Sequence, residues 1–211
     1  MLTKGDILSR ALQKLTPFYI KEQDSPAKRE LLKAALSLYV RQGLDGTSIR
    51  DIAAEAGYSN PALFKHFAGK EDLSLYLFES CYQELIYKLF NGIDYNAAFQ
   101  ENLALLVTRT TDFIDESQDA FLYVQDNLRH FWPQASSEVR EQSLIGQLRR
   151  LLEAGRKQGR VATDVPLEIQ ISALSGALPQ FARLLYFGEI KGNARASSAS
   201  LLLLMQRMLS K

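Results

Sequence analysis

Within residues 47–70, TSIRDIAAEAGYSNPALFKHFAGK, lie Arg50, Asn60, Ala62, Lys65 and His66, a set of side chains suited to the edges and backbone of duplex DNA. Lysine or arginine can pair with the O6 and N7 acceptors of guanine, asparagine with adenine, and an alanine methyl with that of thymine. The chain offers little for bond-making chemistry. Its two histidines lie far apart, its one cysteine, Cys81, sits in a helical pattern among apolar neighbours, and no glycine-rich phosphate loop occurs. An enzyme is therefore not expected. The same count rules out an internal disulfide and leaves too few ligands for zinc, so neither a metal nor a cofactor is expected.

The elements that would position these side chains are two short helices around a tight turn. Thr47 or Ser48 can cap the first, and Ile49, Ile52, Ala53 and Ala56 supply its inward stripe. Gly57 ends it, because glycine accepts a left-handed backbone without a Cβ clash. Ser59 or Asn60 can cap the second helix. Asn60 as cap with Pro61 as first helical residue is the tidier arrangement, since proline's missing N–H costs nothing there. Leu63 and Phe67, four apart, face inward and leave Asn60, Ala62, Lys65 and His66 outside. A helix, a glycine turn and a short helix with a polar outer face form the pattern of a helix-turn-helix.

With Thr47, Ile52-Ala53, Ala56-Gly57-Tyr58-Ser59, Leu63-Phe64, His66-Phe67, Lys70 and Leu73 in register, the chain resembles the TetR (tetracycline-repressor) family of bacterial transcription regulators. The motif covers about residues 26–78; beyond it the resemblance is one of helical architecture. The resemblance implies phosphate contacts from Thr47, Tyr58, Ser59, His66 and Lys70, with Arg50, Asn60, Ala62 and Lys65 facing the bases. Two positions depart from the family pattern. Phe64 stands where the family usually has a tyrosine whose hydroxyl touches a phosphate, and Tyr58 replaces a small aliphatic residue, where it either packs or reaches a phosphate.

Length and composition agree with an ordinary globular protein. The chain has 211 residues, 46% hydrophobic and 23% charged, with a net charge of +1. Within residues 26–70, Lys28, Arg29, Lys33, Arg41, Arg50, Lys65 and Lys70 outnumber Glu30, Asp45, Asp51 and Glu55, a modest basic bias that suits a DNA-facing module. No apolar run approaches the roughly 18 residues of a membrane span, and residues 1–6 do not resemble a secretion signal, so a cytoplasmic protein without a membrane partner is expected.

The periodicity predicts an all-α fold in three parts: an amphipathic extension over 1–25, a helix-turn-helix module over 26–70, and an effector-binding and dimerisation domain over 71–211. In the extension, Thr3 can cap a helix lined by Ile7, Leu8, Ala11, Leu12 and Leu15, which Pro17 stops; its readings are a helix packed on the protein's own surface or a DNA arm using Lys14 and Lys21. Ser25-Pro26 opens the next helix and Gly43 closes it, with Lys28 or Arg29 within reach of DNA backbone. A long helix follows over 70–90. Further helices are expected over 96–116, over 119–131, from Ser136 or Ser137 through Leu144 and Leu152 to Gly155 or Gly159, and from an Asp164 cap with Pro166 in the first turn and a Pro179 kink near Ser175-Gly176. A last helix carries Leu201, Met205 and Met208.

The family resemblance further implies a homodimer formed through the last two helices and a small, apolar effector among the C-terminal helices. Candidate pocket residues are Phe99, Phe113, Phe121, Tyr123, Gln125, Trp132 and Phe181, with Tyr186, Thr110, Asn127 and His130 as further members; core packing is the alternative for each. The function expected is a sequence-specific, ligand-responsive repressor on a palindromic double-stranded DNA operator. A helical adaptor that has lost DNA binding is the alternative.

Overall fold

The computed structural model describes residues 17–210, and the regular structure within that span is all helical. Its helices are α1 (Pro26–Gln42), α2 (Ile49–Glu55), α3 (Asn60–Phe64), α4 (Lys70–Phe90), α5 (Phe99–Glu116), α6 (Gln118–Phe131), α7 (Ser137–Glu141), α8 (Leu144–Lys157), α9 (Leu167–Tyr186) and α10 (Ser198–Leu209), the last preceded by a 3₁₀ turn at Arg195–Ser197. The helix expected over residues 3–16 lies outside the described residues. The fold divides into two compact units that meet within α4, the first ending at Cys81 and the second starting at Tyr82. No helix among the described residues is long and apolar enough to cross a membrane.

In the first unit α1, α2 and α3 pack on one another. Leu31, Leu32, Ile52, Leu63, Leu73 and Leu77 lose all their exposure there. Each such burial is worth about 1.5–3 kcal/mol, enough to hold short helices that would be marginal alone. Capping is local and strong. Ser25 accepts the Lys28 N–H, with Pro26 in the first turn of α1. Ser48 accepts the Asp51 N–H while the Asp51 carboxylate takes back the Ser48 N–H at 2.8 Å, a reciprocal box. α4 is tied to α1 by the Ser74 hydroxyl, 2.7 Å from that of Tyr39. Burial pushes the Tyr39 phenol up to about 12, against the opposing hydrogen bond from Ser74.

Residues 17–25 fold onto this unit. Asp24 accepts the Lys21 N–H at 2.8 Å and the Lys28 ammonium at 2.7 Å. The Lys28 ammonium also lies 4.8 Å from the centre of the Tyr76 ring, and Arg29 donates to the carbonyls of Glu22 and Asp24. Burial raises the Asp24 pKa, but the Lys28 and Lys21 hydrogen bonds and charges outweigh it and hold the carboxyl below its ordinary value. Lys28 and Arg29, read from sequence as secondary DNA contacts, are thus committed to this segment.

In the second unit α5 packs on α6, α8 and α10, and α9 on α6, α8 and α10. Two sequence expectations need correction. The single helix expected from Ser136 or Ser137 to Gly155 or Gly159 is two, α7 and α8, broken at Gln142-Ser143. The buried Tyr82 hydroxyl accepts the Leu144 N–H at 2.8 Å, diverting it from a continuing helix, and Ser143 caps α8. The Asp164 cap is also replaced: Pro166 is the N-cap of α9. The residue before a proline is pushed to extended backbone, which delays the helix start by two residues. Where α8 meets α5, Gly155 leaves no room for a side chain; a Cβ there would lie 2.5 Å from Val161 and 2.6 Å from Phe99, both buried.

Gly155→Ala should therefore destabilise the protein by about 1–3 kcal/mol through overpacking, although alanine is the better helix former. Chemical denaturation with an unchanged slope would check it, and a gain in stability would show that Phe99 yields freely. Asp24→Ala should cost about 2 kcal/mol at neutral pH. Because the folded carboxyl titrates below the unfolded one, its contribution is complete above the unfolded value near 3.9 and is lost as pH falls through the folded pKa. The wild-type and mutant midpoints should converge as pH falls through that range.

Candidate functional site

The turn between α2 and α3 has the geometry of a Schellman cap. Gly57 sits at φ +73°, its N–H donates to the Ala54 carbonyl at 3.1 Å, and the Tyr58 N–H donates to Ala53 at 2.8 Å. α3 then starts one residue earlier than the sequence preferred: Ser59, not Asn60, is the N-cap, and Pro61 falls second in the helix. The Ser59 hydroxyl makes no capping bond, because the Ala62 N–H is met by the Ser59 carbonyl instead. Leu63 and Phe67 are buried. The outer face of α3 carries the exposed Lys65 and Phe64, with Asn60, Ala62 and His66 partly exposed.

A groove of about 660 Å³ brings Thr47, Arg50, Asn60 and Lys70 together with Asp45, Ser48 and Phe64; Tyr58, Ser59, Ala62, Lys65 and His66 lie outside it. The members differ in how free they are. Thr47 is 1% exposed, donates to the Gly43 carbonyl at 2.8 Å and accepts from Gln42, so it braces the corner between α1 and α2. The Lys70 ammonium donates to the carbonyls of Leu44 and Thr47 at 3.0 and 3.1 Å. His66 Nε2 is 3.1 Å from the Ser25 hydroxyl. Arg41, also basic in this region, pairs with Glu55 at 2.9 Å. Arg50 and Lys65 are exposed and, among the described residues, form no ion pair.

The two aromatic departures are both exposed, Tyr58 at 37% and Phe64 at 54%. Sequence reading treated Phe64 as a lost hydrogen bond; the structure adds that its ring lines the groove beside Arg50 and Asn60. Asp45 in the same groove was not singled out, and its loop position gives little signal.

In the second unit an apolar cavity of about 30 Å³ lies among α4, α5, α6, α8 and α9. Leucines dominate its wall, with Phe121, Gln125, Thr110, Ser175 and Pro179. Of the seven candidate pocket residues, Phe121 and Gln125 reach it. Phe113 lines a separate open groove of about 300 Å³ with Tyr87, Lys88, Arg109, Asp112 and Glu116. Phe99 packs on Gly155, the Tyr123 ring is 6.5 Å from Phe131, and the Trp132 ring is 5.2 Å from Tyr82. Phe181 is buried away from the cavity wall. Ser175, where the sequence places the Pro179 kink, also lines the cavity, a role that periodicity does not assign. Cys81 is buried and free of disulfide, as a small core residue would be.

Apolar side chains also face outward along α9 and α10. Ile169, Leu203, Leu204 and Met208 are exposed, and Phe187 just after α9 is 70% exposed. On α10, Leu204 and Met208 are four apart with Leu203 beside them, which sets them on its outer side, and Ile169 stands outward near the start of α9.

The family model of bacterial regulatory proteins, tetR family, matches residues 31–77. The HTH-type transcriptional repressor KstR2 of Rhodococcus jostii (strain RHA1) is 30% identical over 157 residues, 69% of this chain and 72% of that protein. The structure of the ketosteroid transcriptional regulator KstR2 of Mycobacterium tuberculosis superposes with a TM-score of 0.74 at 20% identity, covering 87% of this chain and 95% of that one. The FadR transcriptional regulator of Bacillus subtilis in complex with stearoyl-CoA superposes with a TM-score of 0.65 at 18% identity, covering 85% and 98%. The helix-turn-helix geometry, the family match and the extended likeness to a repressor agree: the chain belongs to the tetR family of bacterial regulatory proteins and is a transcription regulator, not an enzyme.

Proposed function

We propose that this regulator is a repressor that binds a palindromic DNA operator as a homodimer and is released by an apolar small molecule. The observation that carries the DNA part is the rigid Gly57 turn, which presents the outer face of α3 beside a groove holding Arg50 and Asn60. Lys65 and Arg50 are the charged groups available for guanine edges, Asn60 for adenine and the Ala62 methyl for thymine. Tyr58, Ser59 and His66 are assigned to phosphates, which position without specifying. Lys70 can add only the donor left after its two carbonyl bonds, and Thr47 acts by holding the corner rather than by touching DNA. The name of the Rhodococcus relative supports repression.

Dimerisation is supported by the outward apolar residues of α9 and α10, a surface costly to leave in water. An isologous two-fold contact there would pair two α3 helices with half-sites about one helical turn apart, or a multiple of it. The effector reading rests on the cavity of the second unit and on two similar structures, a ketosteroid transcriptional regulator and a regulator in complex with stearoyl-CoA. Such a ligand acts only through its different affinities for the DNA-binding and released shapes of the dimer.

Selection of the purified protein against a random duplex library, at low and near-physiological salt, tests the function. One palindrome should be enriched and survive the higher salt; binding without enrichment that vanishes with salt would leave only a basic surface and sink the proposal. On the selected duplex, Lys65→Ala should weaken binding by about tenfold and relax sequence preference at one position per half-site. An equal loss on every sequence, with a salt slope lower by about one, would reassign Lys65 to phosphate. Leu204→Glu should yield a monomer in sedimentation velocity and abolish operator binding while leaving the helical spectrum intact. A dimer that persists would place the subunit contact elsewhere.

A further inference from the structure

We infer that the cavity of the second unit takes an uncharged lipophile bearing one hydrogen-bonding group, a hydroxyl or a carbonyl, held by Gln125 and the Ser175–Pro179 segment of α9. This rests on the proposal that the unit binds an effector and specifies its chemistry. The wall contains no lysine, arginine, histidine, aspartate or glutamate. A carboxylate or phosphate inside would lose its hydration and meet no opposite charge, an expensive burial. Leucines from α4, α5, α8 and α9 with Phe121 offer only apolar contact to the body of a ligand.

The polar groups in the wall are few and unequally occupied. The Thr110 hydroxyl donates to the Leu106 carbonyl at 2.7 Å and is spent within its own helix. The Ser175 hydroxyl donates to Ser172 at a long 3.3 Å. Pro179 lacks an N–H, so the Ser175 carbonyl loses the donor that residue 179 would supply in an uninterrupted helix. Among the described residues the Gln125 amide makes no hydrogen bond, though it can donate twice and accept. A half-buried amide with no protein partner and an undersupplied carbonyl, at the wall of an apolar space with no charge, match one neutral polar group on a greasy frame.

Room is the remaining constraint. A cavity of about 30 Å³ holds about one water molecule, whereas ligand pockets run to several hundred cubic ångströms. Entry requires the helices to part, and α9 is the element already missing a backbone bond at the wall. A thioester such as stearoyl-CoA could lodge only its acyl chain here, with its phosphates outside. A free neutral lipophile meets every group in the wall.

The test titrates the full chain at pH 8 with octadecan-1-ol, octadecanoic acid, stearoyl-CoA and androst-4-en-3-one, following Trp132 fluorescence and the unfolding midpoint. The alcohol or the mono-ketone should bind at least about tenfold tighter than the ionised acid. Gln125→Leu should weaken that binding by about five- to tenfold with no fall in the unliganded midpoint. If the acid or the thioester binds as tightly as the neutral ligands, or if Gln125→Leu binds like wild type, the inference is overturned while the effector proposal stands. If none of the four changes either signal, both fall.

Discussion

The short helices α2 and α3 hold their mutual angle because one residue, Gly57, adopts φ +73° and lets two backbone N–H groups turn back onto Ala53 and Ala54. Any side chain at that position would be strained, since L residues rarely occupy the left-handed region. Neither helix is long enough to persist alone, so the turn works only because Ile52, Leu63 and Phe67 are buried on the same side. A local backbone constraint and a small shared core thus fix a rigid platform for the exposed side chains of α3. Thr47 and Lys70 serve that platform from beneath, closing the carbonyls at the end of α1 and in the loop after it.

Charge in the first unit is spent mostly on folding. Lys28 is held by Asp24, Arg29 by two carbonyls, Arg41 by Glu55 and Lys70 by two carbonyls. Cations committed in this way add to the field around the module but have fewer donors left for phosphate. In the proposed DNA-binding reading, that balance shifts specificity toward Arg50, Lys65, Asn60 and the exposed ring of Phe64. This gives the departure at Phe64 a physical sense. A ring in place of a hydroxyl suits apolar contact with thymine or sugar better than phosphate binding.

The second unit divides its apolar surface between an inner and an outer use. Leu174 and Leu178 of α9 face inward to the cavity, whereas Ile169 of α9 and Leu203 and Leu204 of α10 face outward. Helices apolar on two sides are stable only if both sides are covered, which is why the proposed subunit contact and the proposed effector site involve the same helix. Pro179 lies on the inner side of α9, where a missing backbone bond leaves that helix easier to bend than its neighbours.

Much of this was legible in the sequence because the signals are local. Ser25-Pro26, Ser48, Gly57 and the span Lys70–Phe90 are start, stop and periodicity signals whose physics acts within a few residues, and the structure follows them. The helix-turn-helix and its exposed residues were therefore readable, as was the inward placement of Leu63 and Phe67. Tertiary structure decided what depended on distant partners. Tyr82 splits one expected helix into α7 and α8 by taking the Leu144 N–H across 62 positions. Thr47 is a brace because Gly43 and Gln42 come back to it, and Lys70 is occupied because Leu44 does. Phe121 and Gln125 reach the cavity while Phe99, Tyr123 and Trp132 do not, although all belong to apolar helical stripes. A periodic pattern specifies which face of a helix is buried, but only the packing of one helix against another determines whether that face meets a neighbour or a space.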